Sequence, residues 1–235
     1  GDGTTSGGDG DGDGDSDGDT GGGETTMIRV MHLGVGVPEV DVFANMTEPA
    51  AVTDLDYRVG TGYLELPPAD YTFQVALAGG TPADAAIEAG PLTLDAGVKY
   101  TATAIGALDD ANLEILPLID ADTDVPAGNL RLQVVHAAPA VGQVDIWEVT
   151  DPDNPAALLE DVDYKASGSL DVPPAVYNLG IDVDDDAMPD LTFTADLSGV
   201  PEGTFINLFA NNDAMGGVAL VAQLPDATVL VIDPN

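Results

Sequence analysis

Short apolar runs separated by turn-forming residues dominate the chain from Met27 onward. The runs are rich in Val, Leu, Ile and Tyr, and Pro, Gly, Asp and Asn separate them. This pattern is typical of β-strands. No window carries a helical apolar stripe for longer than about two turns. The Ala-rich piece Pro82–Ala89 is the best helix candidate. We therefore predict an all-β protein.

The predicted strands fall into two series of similar spacing. The first series is Ile28–Leu33, Val40–Ala44, Tyr63–Leu66, Tyr71–Leu77, Leu92–Leu94, Tyr100–Ile105 and Leu113–Ile119. The second is Leu130–His136, Val144–Val149, Ser169–Val172, Val176–Ile181, Leu191–Ala195, Phe205–Phe209, Val218–Leu224 and Val229–Ile232. About seven short strands per series is the pattern of a β-sandwich.

An internal repeat relates the two series. Arg29-Val-Met-His32 precedes a Val-Asp-Val-Phe segment, and Gln133-Val-Val-His136 precedes Val-Asp-Ile-Trp at the same spacing. Further on, a Pro-Pro-Ala-x-Tyr element occurs in each half. So many ordered coincidences indicate a duplicated domain. We predict domains over 27–120 and 129–235, joined near Asp120–Gly128.

The first 26 residues contain almost nothing that can pack into a core. Gly and Asp alternate through most of Gly8 to Asp19. Glycine adds backbone entropy and the aspartates repel one another, so we predict a disordered acidic linker over 1–26. The start at Gly1 resembles the mature end of a bacterial lipoprotein, just past a processed signal and its lipidated cysteine. A lipid anchor is therefore one expectation.

Three segments resemble a bacterial and archaeal family catalogued as domain of unknown function 4397. They are the Arg-Val-x-His and Val-Asp-Val-Phe opening, Gly-Tyr-Leu-Glu-Leu-Pro-x-x-x-Tyr-Thr over 62–72, and Leu-x-Ala-Gly-x-x-Tyr-Thr over 94–101. The resemblance covers residues 28–119 clearly and 130–232 more loosely. It implies tandem, exported, surface-attached immunoglobulin- or transthyretin-like sandwiches. No catalytic residues are established for that family, so the resemblance assigns none to this chain.

Charge limits the partners. The chain has 42 acidic residues against 5 basic ones, and a net charge of -37. Such a field repels nucleic acid and anionic membranes and attracts cations. Adaptation to high salt and specific cation binding both explain it, and the sequence does not choose between them. There is no cysteine, so thiolate chemistry and Cys-ligated metals are excluded.

Calcium binding is the main chemical expectation, because hard cations take several carboxylate oxygens. The candidate ligands are clustered acids. One cluster is Asp182, Asp184, Asp186 and Asp190, a second is Asp120, Asp122 and Asp124, and a third is Asp13, Asp15, Asp17 and Glu24. The third matches the calcium-loop spacing, but a Gly-Asp repeat generates that spacing freely. In each cluster the alternative is a solvated acidic segment.

No catalytic set stands out. None of the five serines lies in a Gly-x-Ser-x-Gly elbow, and the only histidines are His32 and His136. Their equivalent positions indicate a structural role. We therefore expect a non-catalytic extracellular or cell-surface module that binds a polysaccharide or protein, or that acts as a spacer. The alternative is a subunit of an extracellular assembly that self-associates, with calcium as a candidate requirement. A membrane contact is expected only through the lipid anchor.

Overall fold

The computed structural model describes residues 1, 3, 24–108, 112–184, 186–213 and 215–235. The fold is all-β, as the apolar pattern predicts. The first half contains β1 (Thr26–His32), β2 (Val40–Ala44), β3 (Val52–Leu55), β4 (Leu64–Leu66), β5 (Ala69–Leu77), β6 (Ile87–Leu94), β7 (Lys99–Ile105) and β8 (Glu114–Ile119). The second contains β9 (Leu130–Ala137), β10 (Val144–Glu148), β11 (Ala156–Val162), β12 (Ser167–Val172), β13 (Val176–Asp182), β14 (Leu191–Asp196), β15 (Phe205–Asn212), β16 (Val218–Gln223) and β17 (Val229–Ile232).

These strands form four sheets. Sheet I has the order β4-β1-β7-β8, and sheet II has the order β3-β2-β5-β6. Sheet III has the order β12-β9-β15-β16-β17, and sheet IV has the order β11-β10-β13-β14. Sheets III and IV repeat the strand order of sheets I and II, with β17 added at one edge. In each half one pair is parallel, β1 with β7 and β9 with β15. Among the described residues, no helix is long and apolar enough to cross a lipid bilayer.

Each half encloses its own apolar core between two sheets. Phe73 and Val42 are buried between sheets I and II, and Phe193 and Ile206 are buried between sheets III and IV. Along β12 and β14, core-facing side chains alternate with exposed ones, as expected where one face of a sheet meets solvent. Most side chains of both cores are aliphatic.

A third apolar cluster joins the two halves, because sheet I packs against sheet III. Every described residue of β15 and β16 is buried, so these strands are covered on both faces. We call this contact the joint. Its apolar side chains are Met31, Leu33, Ile105, Leu116, Leu118, Val135, Ala137, Phe209 and Val221.

The best helix candidate, Pro82–Ala89, does not form a helix over its length. Only Pro82–Asp84 is helical, as one 3₁₀ turn closed by hydrogen bonds from Thr81 to the Asp84 carboxylate. The chain then enters β6 at Ile87, where it pairs with β5. Pairing in the sheet buries the Ile87 side chain in the first core, which outweighs the helix propensity of the alanines.

The sequence pattern missed the same strand in both halves, β3 and β11. Each pairs irregularly with its neighbour, and each contains an aspartate with positive φ, Asp54 or Asp161. Asp41 accepts the Asp54 N–H at 2.9 Å, and Asp145 accepts the Asp161 N–H at 2.7 Å. These bulges break the alternation of apolar and polar positions, which is the signal for a strand.

The Pro-Pro-Ala-x-Tyr elements make equivalent hydrogen bonds in the two halves. The Tyr71 hydroxyl donates to the Pro67 carbonyl at 2.9 Å, and the Tyr177 hydroxyl donates to the Pro173 carbonyl at 2.7 Å. Each tyrosine thus fixes the turn that precedes its own strand.

Candidate functional site

Three acidic side chains of one predicted cation site come together between β13 and β14. One carboxylate oxygen each from Asp182, Asp184 and Asp190 lies within 4.8 Å of the other two. Asp182 is buried, whereas Asp184 and Asp190 are exposed. A cleft of about 240 Å³ opens beside them, and Asp145 and Asp161 contribute to its lining. Several hard oxygens around one opening are what a divalent cation such as Ca²⁺ requires.

The ladder between β10 and β13 places two carboxylates opposite each other. Asp145 pairs with Asp182, whereas in the first half Asp41 pairs with Ala76. Like charges at opposed positions of an antiparallel ladder are destabilising. A cation in the cleft would offset this repulsion.

Asp186 is not part of the group. Its carboxylate accepts the N–H of Met188 at 2.9 Å and so helps to form the turn. Repulsion by Asp186, followed by partial loss of hydration and by the charges of Asp190 and Asp182, raises the pKa of Asp184. The structure thus brings together three of the four predicted ligands of this loop.

Asp120 lies in the joint and not on a solvated linker. Its buried carboxylate faces the Arg29 guanidinium, with 3.5 Å between Oδ2 and Nε. The hydroxyls of Thr101 and Tyr63 donate to it at 2.7 Å and 2.5 Å, and the Asn207 amide donates at 3.1 Å. Burial and the neighbouring Asp120 charge raise the pKa of Tyr63, so the phenol keeps its proton. The protein's own donors therefore surround Asp120.

The polar contacts of the joint cross from one half to the other. Asn207 belongs to β15, and its amide reaches Asp120 of the first half. Gln223 of β16 donates to the carbonyls of Val30 and Thr61, both at 3.2 Å. A Cβ at position 60 would lie 2.5 Å from the Gln223 Nε2, so Gly60 permits this approach.

The other linker acids are engaged separately. Asp122 forms an ion pair with Lys99 at 2.5 Å. The carbonyl of Asp124 accepts a hydrogen bond from Arg131 at 3.5 Å. Within the described ranges, Asp120, Asp122 and Asp124 are not gathered into a ligand group.

The third predicted cation cluster is largely outside the described residues. Asp13, Asp15 and Asp17 fall there, and only Glu24 is described, as an exposed residue. The disordered linker predicted over 1–26 also falls almost entirely outside the described residues.

The two histidines make equivalent hydrogen bonds to the loops that follow β1 and β9. Nε2 of His32 donates to the Pro38 carbonyl at 3.2 Å, and Nε2 of His136 donates to the Gly142 carbonyl at 2.7 Å. Nδ1 of each ring accepts the N–H two residues further on. Both ring nitrogens are therefore used within the fold, in the neutral form.

Acid should weaken the fold through these rings. Burial lowers the pKa of both His32 and His136 below the ordinary value of 6.5. As the pH falls below about 6.5, the unfolded chain binds protons first. The stability contribution of each ring is therefore complete above that pH and is lost as the pH falls towards the folded pKa. A His32→Gln/His136→Gln variant should lose less unfolding free energy than the wild type between about pH 7 and about pH 5.

Urea unfolding at constant ionic strength measures this difference. Because both proteins carry the same carboxylates, acid titration of the surface cancels in the comparison. Equal losses in the two proteins would contradict the prediction.

Comparisons with known proteins give one family. The family described as "Domain of unknown function (DUF4397)" matches residues 26–147, just over half of the chain. The match covers β1 to β9 and continues into β10. A search of curated proteins finds no match.

Among solved structures, one similar chain is the Bacillus anthracis TIE protein, at 11% sequence identity and a TM-score of 0.25. The similarity covers 81% of this chain and 34% of that chain, so this chain spans about a third of that protein. The family assignment rests on the match over 26–147, which contains the segments around His32 and Tyr71. The chain belongs to the DUF4397 family, a domain of unknown function.

Proposed function

We propose that this protein is a non-catalytic extracellular module that binds a partner at the cell surface and holds it at a fixed distance. The observation that carries the proposal is the buried joint between sheets I and III. A joint with an apolar cluster and buried hydrogen bonds resists bending, so the two halves act as one stiff body.

Each half is proposed to be an immunoglobulin- or transthyretin-like sandwich, and the two to be copies over 27–120 and 129–235. The repeated strand order and the matching histidine and tyrosine contacts support this duplication. The equivalent rings hold loops in both halves, which supports a structural role for them over a catalytic one.

The acidic surface favours a neutral or cationic partner, such as a polysaccharide or a basic protein surface. A net charge of -37 disfavours nucleic acid and anionic lipid. Binding sites for such partners on β-sheet proteins usually lie in clefts or along sheet edges.

Small-angle X-ray scattering of the full chain tests the stiff body. The halves should keep one relative arrangement from low to high salt, because their joint is buried and polar contacts within it are poorly screened. A variant with Phe209→Ala and Asn207→Ala, which removes joint contacts, should broaden the distribution of dimensions. A wild type as flexible as this variant would overturn the proposal.

Location is tested separately. Protease added to intact cells of the native organism should remove the protein while a cytoplasmic marker survives. Protection of the protein until the cells are lysed would contradict an extracellular position.

The gathered carboxylates of Asp182, Asp184 and Asp190 favour a second candidate, a calcium-dependent subunit of an extracellular assembly. Light scattering should then rise with protein concentration and Ca²⁺, and not with matched NaCl. Asp184→Asn/Asp190→Asn should abolish that rise. The control Asp153→Asn, an exposed acid outside the group, should not. A monomer at all Ca²⁺ concentrations would dispose of this candidate.

A further inference from the structure

The two halves differ at one sheet edge. In the second half, β17 (Val229–Ile232) adds antiparallel to β16 as the fifth strand of sheet III. The chain then reaches sheet IV, where Pro234 bridges to Phe193 and the Asn235 N–H donates to the Thr192 carbonyl at 2.9 Å. β17 and its tail therefore close the opening between β16 and β14.

In the first half, β8 and β6 approach each other directly along part of their length, and no strand of the described chain lies between them. β8 and β6 are edge strands of sheets I and II, and no strand of the described chain pairs with the outer edge of β8. A cleft of about 240 Å³ lies there. Its lining includes Ile28, Leu92, Leu94, Tyr100, Leu118 and Ile119.

Side-chain exposure follows this difference. Ile119 ends β8 and is 65% exposed. Leu224 follows β16 in the second half and packs against the core there. Ile232 of β17 packs against the same core. The first half thus leaves uncovered a position that the second half covers with its own chain.

The outer edge of β8 offers a short stretch for backbone pairing. The Asp120 N–H donates to the Lys99 carbonyl at 2.9 Å, so by alternation the N–H and C=O of Ile119 face away from β7. Pro117 has no N–H to donate, so another sheet cannot pair continuously along this edge. A docked segment would therefore gain its affinity mainly from side chains in the cleft, with a few backbone bonds setting its direction.

We propose that this cleft binds an extended segment of another polypeptide, antiparallel to β8, as β17 lies on β16. The segment carries aliphatic side chains like those of Val229 and Ile232. It also carries Lys or Arg beside them, because the net charge of -37 repels a second copy of this chain and attracts a basic partner. This inference rests on the proposed binding function and names its surface and partner.

A labelled peptide tests the cleft directly. The probe is residues 228–234 flanked by lysines, and fluorescence anisotropy with the full-length protein measures its binding. Saturable binding is expected. Ile119→Asp should weaken it by about tenfold or more, because it puts a charge where an aliphatic contact forms.

Two controls distinguish peptide binding in the cleft from nonspecific binding to the protein surface. Leu77→Asp changes another exposed aliphatic residue of the first half, 54% exposed, and should alter the dissociation constant by less than about twofold. A peptide with Asp in place of Ile232 should not bind. Absence of binding to the wild type, or equal weakening by Ile119→Asp and Leu77→Asp, would overturn the site.

Self-association is the remaining outcome. If the unlabelled protein dimerises and Ile119→Asp abolishes the dimer, the occupant is a second copy and the assignment to a different polypeptide is wrong. The stiff body is measured by scattering without any peptide. A failed peptide experiment would therefore overturn the cleft proposal but not the spacer function. A flexible joint would overturn the spacer function but not the cleft proposal.

Discussion

Arg29→Met is expected to lower the free energy of unfolding by about 3–5 kcal/mol, because it leaves the buried Asp120 carboxylate without a cation. Both side chains of this pair are fully buried. The hydroxyls of Thr101 and Tyr63 still donate to Asp120, but hydrogen bonds from neutral groups do not replace the charge. Urea unfolding at constant ionic strength measures the loss.

Lys165→Met is the matched control. Lys165 pairs with Glu114 across the two halves at 2.8 Å, but both side chains are about two-fifths exposed. The same loss of one positive charge should therefore cost only about 0–1 kcal/mol. Adding Asp120→Asn to Arg29→Met should recover part of the loss, since no unpaired buried charge remains. Equal costs for Arg29→Met and Lys165→Met would show that burial of the pair is not what stabilises the joint.

Phe73→Ala in the first half is expected to shift the unfolding of the second half as well. Removing a buried phenylalanine costs about 3–5 kcal/mol. The chain has a single tryptophan, Trp147, which lies in β10 of the second half. If the joint couples the halves, Trp147 fluorescence and far-ultraviolet circular dichroism should follow one transition, moved to lower urea by the same amount.

Phe193→Ala provides the reciprocal experiment, since Phe193 lies in the second core. It too should move both signals together. Independent halves would behave otherwise: Phe73→Ala would leave the Trp147 transition in place and split the circular dichroism into two steps.

Much of the fold follows from sequence pattern. Alternating apolar runs located most of the strands, and the repeat around His32 and His136 indicated two similar halves. The pattern failed where local geometry breaks the alternation. The bulges at Asp54 and Asp161 disrupt the strand pattern, so β3 and β11 were not predicted. The alanines before Ile87 have high helix propensity, which favoured a helix there.

The candidate site was predictable only in part. The crowding of Asp182, Asp184 and Asp190 in one loop is visible along the chain, because a short loop keeps its members close. The ladder that opposes Asp145 to Asp182 depends on strand register, which residue order alone does not reveal. The acidic run did not indicate that the Asp186 carboxylate accepts a backbone hydrogen bond from Met188.

By itself, the sequence determined the fold class, the strong negative charge and the repeated strand elements, since these depend on local pattern and composition. Only the tertiary structure decided that sheet I packs on sheet III, that Arg29 and Asp120 meet between them, and that β17 covers one half and not the other. The physical reason is that a side chain on the outer face of a sheet is buried only if another sheet packs on that face, and residues distant in the sequence form that other sheet. The continuous apolar run of β16 is a trace of that surface in the sequence.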